Sequence, residues 1–292
     1  PLLIAIVAGI VVGNARPLGP RYTPGLAIAS RQVLRVGVAL LGLQLVFGEI
    51  FGLGAGVLVL IVATVGLSLG GSWWIGRLLG VRREQRLLIA CGTSICGAAA
   101  VAAVAGSSDS DDDDVATAIG TVVVFGTVLM GLIPLSVQVF GLGPDVGGIW
   151  VGAAIHEVAQ VVAAGGAIGS GALAVAVVVK LGRVLMLAPV LTVISVRQRA
   201  SSSSGPRPPL VPLFIVGFLG CAAVRSAQVL PAPALLAAGQ VQVALLSAAM
   251  FALGAGVRLA ALRAVGPRPI ALGALGAAWI AAVGLVGALL LA

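Results

Sequence analysis

Charged residues are scarce in this chain of 292 residues, since Asp, Glu, Lys and Arg together make up 9% of it. An average soluble domain is about 25% charged and needs those side chains to cover its surface, so an ordinary water-soluble fold is excluded. Hydrophobic residues make up 60% of the chain. One membrane-spanning helix takes about 20 apolar residues, so the length accommodates about ten spans. We therefore predict an all-α, polytopic membrane protein with a single integral membrane domain over residues 1–292.

Histidine occurs once and cysteine three times, which removes most of the ligands that a zinc or iron site needs. Cys91, Cys96 and Cys221 lie in apolar runs, and Cys-x4-Cys is not a usual spacing of zinc ligands. The sequence also lacks a complete set of nucleophile, base and oxyanion donors. We therefore predict no metal, no cofactor and no enzymatic activity.

Lysine occurs once, and arginine supplies the rest of the positive charge, which gives a formal net charge of +8. No basic surface with interleaved aromatic residues accompanies this charge, so nucleic acid is not an expected partner. Most of the arginines stand in short gaps between apolar runs, where the orientation rule for membrane proteins expects them on the cytoplasmic side. The charge therefore indicates topology within a lipid bilayer.

Apolar runs separated by Gly, Pro and Arg predict ten helices, which we number first to tenth. Their predicted ranges are 2–14, 25–47, 54–79, 86–106, 115–140, 149–166, 172–196, 210–229, 235–261 and 269–291. The arginine-bearing gaps share one parity, which places them in the cytoplasm and both chain ends outside. Ten helices divide into five plus five, and an odd repeat length inverts the second half, so we expect an inverted repeat with halves 1–140 and 149–292.

A second repeat is visible in the sequence itself. Residues 92–103 resemble residues 152–163 at a constant offset of sixty positions. This offset and the five-plus-five division imply different repeat registers, and the sequence leaves the choice between them open.

Five of the nine acidic residues stand in the run 107–114, between the fourth and fifth helices. Aspartate near a helix N-terminus suits the helix dipole, so we favour a solvated loop that caps the fifth helix over a cation site. The parity of the arginine-bearing gaps places this run on the outer side, opposite to Arg77, Arg82 and Arg86.

The only histidine stands beside an acid in the sixth helix, as His156 and Glu157, and Gln160 follows one turn later. Ionisable groups at membrane depth cost several kcal/mol unless they are paired or hydrated, so they mark candidate functional sites. The alternative is that this run leaves the membrane as a surface loop. A zinc protease motif would need histidine in place of Gln160. The pair His156 and Glu157 is suited to proton exchange or to holding a polar substrate.

Lys180 and Arg183 interrupt the apolar seventh helix, three positions apart and hence on neighbouring faces. The alternative for Lys180 is that its long side chain reaches the membrane interface, which is harder for Arg183 inside the span. Pairing with Glu157 would reduce the cost of burying either cation. A cation that stays unpaired is suited to an anionic substrate.

The fourth helix contains Thr93, Ser94 and Cys96 between two glycines, Gly92 and Gly97. Glycine in a membrane helix often serves tight helix packing, which is one interpretation. The other is a broken helix whose exposed amide groups and serine hydroxyl face a substrate, because the N-terminus of a half-helix attracts anions.

Four segments together resemble the YeiH-type family, the UPF0324 group whose members are often labelled sulfate exporters. They are residues 40–43, 92–98, 150–165 and 179–184, and the most specific is His-Glu-Val-Ala-Gln at 156–160. The resemblance implies a multi-pass protein of the bacterial inner membrane. It also implies a distant similarity to bile-acid and sodium/proton antiporter-type carriers, with five-plus-five inverted repeats and a core of crossing broken helices. Members typically begin with one more hydrophobic segment, which is absent here, and the sequence leaves open whether an upstream helix is missing.

These observations favour a secondary transporter that exports a small anion, such as sulfate or a sulfonate, coupled to protons or sodium. We expect Thr93, Ser94, Cys96, Gln160, Lys180 and Arg183 to bind the substrate, and His156 and Glu157 to couple the ion. A passive anion channel, an intramembrane enzyme and a membrane protein without transport activity are the alternatives. The sequence leaves open the substrate, the direction, the coupling ion and the oligomeric state, a homo-oligomer included.

Overall fold

The structure, a computed structural model, describes residues 2–15, 19, 21–52, 54–106, 110–201, 213–256 and 266–292. Contacts between residues divide the chain into two compact units. Unit 1 consists of Pro1–Glu49, Ala102–Asp109 and Leu187–Leu259, and unit 2 consists of Ile50–Val101, Ser110–Met186 and Ala260–Ala292.

The α-helices are, in chain order, α1 (Leu2–Ala15), α2 (Thr23–Ile28), α3 (Leu34–Leu41), α4 (Phe47–Gly52), α5 (Ala55–Leu78), α6 (Arg83–Ser94), α7 (Ala98–Ala105), α8 (Asp112–Val139), α9 (Pro144–Ala154), α10 (Val158–Ile168), α11 (Ser170–Leu185), α12 (Leu187–Ser201), α13 (Leu213–Ser226), α14 (Ala232–Gly256) and α15 (Pro267–Leu290). A π-helical turn, Ala29–Val33, joins α2 to α3, and a 3-10 turn, Gly42–Gln44, follows α3. No strand occurs among the residues that the structure describes.

Each of the ten predicted ranges is mostly helical where the chain is described, and the all-α fold class is confirmed. The predicted second, fourth, sixth and eighth helices include non-helical residues, at 45–46, 95–97, 155–157 and 227–229. The start of the predicted eighth helix, 210–212, and the end of the ninth, 257–261, lie outside the described residues. Among the described residues, five helices are long and apolar enough to cross a membrane. They are Ala55–Leu78, Asp113–Val139, Ser170–Arg197, Ala232–Gly256 and Pro267–Leu290.

Unit 1 is held together by close helix contacts at small residues. Gly9 and Gly13 of α1 lie directly against the backbone of Phe251 and Ala255 in α14, where no larger side chain would fit. Gln44 donates a hydrogen bond to Gln242 of α14. These contacts align the first helix with the ninth predicted helix.

In unit 2, the predicted fourth helix does not carry the chain from one end of the unit to the other. Arg82, just before α6, forms ion pairs with Asp111 and Asp114 at the start of α8. Further along, Gly92 of α6 lies against Val122 of α8, so the two helices begin at the same end and run parallel. Both α6 and α8 therefore run inward from the same end of unit 2.

This geometry corrects the predicted location of the aspartate run. The sequence places the run on the side opposite to Arg82, and that prediction is wrong, because Asp111 and Asp114 contact Arg82 directly. The cause is the reversal of direction between α6 and α8, which a count of apolar segments does not reveal. Asp111 stands at the N-cap position of α8, but its side chain makes no capping hydrogen bond.

The predicted sixth helix is likewise a hairpin, formed by α9 and α10. The side chain of Ile168, at the end of α10, lies against Gly147, near the start of α9. In a straight helix these residues would be about 30 Å apart, at 1.5 Å per residue. The chain therefore runs inward along α9, turns at residues 155–157 and runs back toward the same end along α10.

The two re-entrant segments enter unit 2 from opposite ends. Segment 1 consists of α6 and α7, and segment 2 consists of α9 and α10. Because α8 is a 28-residue helix that begins beside α6 and ends beside α9, it separates their entry points by about 40 Å at 1.5 Å per residue. We call the end where α6 begins the first end, and the end where α9 begins the second end.

The turns of the two segments follow the sixty-residue repeat seen in the sequence. Segment 1 turns at residues 95–97 and segment 2 at residues 155–157, so the turns are offset by sixty positions. Since the segments enter from opposite ends, the repeat within unit 2 is inverted. The division of the whole chain into five plus five helices stays a prediction.

Labelling of single cysteines from one side of the membrane checks the reversal at α6 and α7. In a cysteine-free background, we expect Arg83→Cys and Asp113→Cys to react with an impermeant maleimide from the same side. Gly143→Cys, which precedes α9, is expected to react only from the opposite side. Labelling of Asp113→Cys together with Gly143→Cys would contradict the re-entrant path of segment 1.

Candidate functional site

Tip 1 is the turn of segment 1, residues 95–97, and it depends on glycine. α6 ends at Ser94, and the amide of Gly97 donates to the carbonyl of Gly92 at 2.9 Å. Gly97 has φ +73°, in the left-handed region that favours glycine. A Cβ at this position would also run into the side chain of Glu157. Glycine is therefore required both by the turn and by the approach of the second segment.

Tip 2 is the turn of segment 2, residues 155–157, and it is fixed by a capping box. Ile155 and Glu157 adopt extended conformations, with ψ 144° and 145°. The Glu157 side chain accepts from the backbone N–H of Gln160, and the Gln160 side chain accepts from the backbone N–H of Glu157. These reciprocal bonds satisfy two amide groups that the start of α10 would otherwise leave unpaired.

Lys180 of α11 joins the two tips. Its ammonium donates at 2.9 Å to the carbonyls of both Ile95 in tip 1 and Ile155 in tip 2. The third N–H donates to the carbonyl of His156. The side chain is fully buried, and all three of its donors are used by backbone oxygens.

Arg183 lies one turn further along α11 and binds the ends of α6 and α9. Its Nε and Nη2 donate to the Ser94 carbonyl at 3.2 and 2.9 Å, and Nη2 also donates to the Thr93 carbonyl at 3.1 Å. Nη1 donates to the carbonyls of Gly152 and Ile155 at 3.1 and 2.8 Å. All five N–H donors of this fully buried guanidinium are therefore directed at helix C-termini.

Glu157 supplies the opposite charge at the two helix N-termini. Its Oε1 accepts from the backbone N–H of Ala98, the first residue of α7, at 2.6 Å. The same side chain caps α10. A helix carries partial positive charge at its N-terminus and partial negative charge at its C-terminus. The carboxylate thus faces two positive helix ends, while Lys180 and Arg183 face two negative ones.

His156 uses only one of its two ring nitrogens. Nδ1 lies 3.0 Å from the carbonyl of Val122 in α8. A carbonyl can only accept, so Nδ1 carries the hydrogen, and in the neutral ring Nε2 has a free lone pair. Nε2 is buried and has no hydrogen-bond partner among the protein atoms. It is therefore an acceptor available to a ligand at tip 2.

The remaining predicted residues also lie at the tips. Gln160 Nε2 donates to Thr127 Oγ1 at 3.2 Å and to the carbonyl of Val123 at 3.4 Å, which ties segment 2 to α8. The Ser94 hydroxyl donates to the hydroxyl of Ser68 in α5 at 3.0 Å. Cys96 is a buried free thiol within tip 1.

The structure brings all eight predicted site residues together, at the tips, in the adjacent turns, or on α11 beside them. Among these residues no ion pair within 4.0 Å joins Glu157 to Lys180 or Arg183, because each charge is satisfied by backbone groups. The predicted roles in binding a substrate and in coupling an ion stay predictions.

Sequence reasoning missed the hydroxyl groups of α5. Thr64, Ser68 and Ser72 are fully buried, and Ser68 contacts the site through Ser94. Their spacing of four places them on one face of an otherwise apolar helix. This spacing was the available signal.

The geometry defines a class of protein, a helical membrane protein in which two re-entrant segments meet at buried charges. The family model described as "Conserved hypothetical protein 698" matches residues 1–273. A UPF0324 membrane protein of Corynebacterium glutamicum is 50% identical over 293 residues, with 99% of this chain and 85% of the relative covered. The chain belongs to the UPF0324 family of membrane proteins.

More distant relatives carry the same name. A UPF0324 membrane protein of Pseudomonas aeruginosa is 41% identical, with 96% of this chain and 82% of the relative covered. One from Bacteroides thetaiotaomicron is 32% identical, with 96% and 86% covered. No solved structure matches the chain.

Replacement of Gly97 by alanine tests the turn at tip 1. We expect Gly97→Ala to lower the free energy of unfolding by about 1–3 kcal/mol. Alanine would be strained at φ +73°, and its methyl group would displace the side chain of Glu157. Gly131→Ala in α8 is the matched control, because nothing lies within 4 Å of its added Cβ. Thermal unfolding in detergent measures both. Equal stability of the two variants would show that tip 1 does not need glycine.

Arg183→Lys tests whether the guanidinium holds the helix ends. Lysine keeps the charge but has three donors instead of five, so at least two hydrogen bonds are lost. We expect a loss of about 2–4 kcal/mol in the free energy of unfolding, because buried carbonyls are left unpaired. Arg77→Lys on the exposed face of α5 should have little effect. An unchanged melting temperature for Arg183→Lys would contradict the structural role.

Proposed function

We propose that this protein is a secondary transporter that exports a small anion of the sulfate or sulfonate class, coupled to protons or sodium. The observation that carries the proposal is the meeting of two re-entrant tips, from opposite ends of unit 2, at Lys180, Arg183 and Glu157. In transporters, interrupted helices of this kind place helix ends near the middle of the bilayer, where substrates and coupling ions bind.

Irregular backbone inside a membrane protein needs a reason. Each unpaired N–H or C=O in hydrocarbon costs several kcal/mol, so non-helical segments at membrane depth occur where they are buried in protein or line a polar cavity. Unit 2 contains two such segments, and both reach the same three charged side chains. The cost of building this arrangement supports a role in handling a polar solute.

The charges at the tips favour an anion over a cation. The tips have two basic side chains, Lys180 and Arg183, and one acidic side chain, Glu157. The carbonyl oxygens at the ends of α6 and α9 are the groups that would bind sodium. Here they accept hydrogen bonds from Lys180 and Arg183. Fixed cations therefore occupy the positions that a bound metal cation would take.

Substrate contacts and coupling are assigned to different groups. Thr93, Ser94 and Cys96 supply polar atoms at tip 1, within the positive field of Lys180 and Arg183. The free Nε2 of His156 and the carboxylate of Glu157 are the groups that would exchange protons or couple an ion. The export direction and the choice of protons or sodium come from the resemblance to sulfate exporters and to sodium/proton carriers.

Flux measurements in proteoliposomes test the proposal. We expect saturable movement of radiolabelled sulfate or of a short alkyl sulfonate, driven by a proton or sodium gradient. His156→Ala and Glu157→Gln should lose the dependence on the gradient, because the coupling groups are gone. Gly131→Ala should retain it, because its added Cβ meets no other atom within 4 Å.

Two results would contradict the transporter. Absence of flux for every oxyanion and sulfonate, with protein that unfolds cooperatively on heating, would remove the anion assignment. Flux that neither saturates nor responds to a second gradient in reversal-potential measurements would indicate a passive anion channel.

A further inference from the structure

Unit 2 contains buried polar atoms that no protein atom satisfies. The hydroxyls of Thr64, Ser72 and Thr121 and the amide nitrogen of Gln85 have no hydrogen-bond partner, although these side chains are at most 4% exposed. Buried hydroxyls in proteins are nearly always paired with protein or water. These four unpaired groups within unit 2 are therefore a property of how its helices pack.

Six buried hydroxyl side chains lie on three helices of unit 2, and we call them the hydroxyl row. Its members are Thr64, Ser68 and Ser72 of α5, Thr93 and Ser94 of α6, and Thr121 of α8. The members on α5 are four residues apart and share a face. Ser68 accepts the hydrogen bond of Ser94, directly beside tip 1.

The small residues of α15 complete the row. Ser72 Oγ lies 3.1 Å and Thr93 Cγ2 lies 3.6 Å from the position of a Cβ on Gly276. Thr121 lies against Gly273, one turn earlier on the same helix. Three hydroxyl residues from three helices therefore converge on a glycine face that supplies no side chain of its own.

The row extends from tip 1 toward the first end. Gln85, in the first turn of α6, precedes Thr93 by eight residues and lies on the same side of that helix. α5 reaches the first end at Leu78, so Ser72 lies closer to that end than Thr64 does. Gln85 and Ser72 thus lie between the first end and the tip, Ser68 is level with the tip through Ser94, and Thr64 lies one turn further from the first end.

We propose that the hydroxyl row is a one-sided access path, which admits water and small anions from the first end to tip 1. Water or a solute oxygen satisfies the unpaired hydroxyls. Because Thr121 and Ser72 already fill the space beside Gly273 and Gly276, their side chains must rotate to admit it. At the first end basic and acidic side chains both occur, so the preference for anions arises at the inner end, where Lys180 and Arg183 outnumber Glu157. Only this preference rests on the proposed function.

Cysteine accessibility tests the path. In a cysteine-free background, Ser72→Cys and Thr121→Cys are treated with an anionic sulfonate methanethiosulfonate and with its cationic ammonium counterpart, from each side of oriented vesicles. The matched controls are Val65→Cys and Val122→Cys, which are 1% exposed neighbours of Thr64 and Thr121 on the same helices. Cysteine is nearly isosteric with serine, so Ser72→Cys keeps the packing even where Thr121→Cys does not fold.

We expect both row positions to react from the side of the first end, about tenfold or more faster than the controls, and faster with the anionic reagent. Reaction no faster than the controls in folded protein would overturn the path. Reaction from both sides would overturn its one-sidedness, and equal rates for the two reagents would overturn the anion preference. Modification does not require transport, so labelling in a protein without flux would separate this inference from the proposed function.

Native thiols provide a second measurement. In the Cys221→Ala variant, Cys96 at the inner end of the path should react with the anionic reagent from the side of the first end. Cys91, which is fully buried in α6, should not react. Reaction of Cys91 at the same rate as Cys96 would indicate general opening of the bundle and would overturn the path.

Discussion

The hydrogen bonds from Lys180 and Arg183 to backbone carbonyls are the constraint on which unit 2 depends. Two helices that end inside a membrane protein leave carbonyl groups without partners, and such groups are costly in a medium of low dielectric constant. Lys180 supplies three N–H donors and Arg183 supplies five, and all eight bind carbonyls at or beside the ends of α6 and α9. The spacing of three residues sets both cations beside the tips.

The burial of Lys180, Arg183 and Glu157 is explained by the helix ends around them. A buried ion pair must offset a large desolvation cost, and here hydrogen bonds to oriented backbone dipoles supply the compensation. Glu157 accepts hydrogen bonds from N–H groups at the N-termini of α7 and α10, and Lys180 and Arg183 donate to carbonyls at the C-termini of α6 and α9. Because positive and negative helix ends occur in equal number, the net charge of the tips is that of the side chains.

Helix positions and the cluster of site residues could be predicted from the sequence, but the path of the chain could not. Apolar length signals a helix, and Gly92 with Gly97 signals an interruption. The direction of the chain after the interruption depends on tertiary contacts such as that of Arg82 with Asp114. In the sequence, two half-length helices therefore look the same as one membrane-spanning helix. The hydrogen-bond acceptors of Lys180 were unpredictable for the same reason. They are backbone carbonyls 24 to 85 residues away in sequence.

The shared use of Lys180 also limits how such a site can work. One ammonium binds the carbonyl of Ile95 in segment 1 and those of Ile155 and His156 in segment 2. If the tips separated, the buried ammonium of Lys180 would lose hydrogen bonds to carbonyls. Complete loss of a buried partner costs about 3–5 kcal/mol. In the proposed transporter, a cycle that keeps the tips and α11 together avoids that cost. Access would then change by movements around the tips, not by their separation.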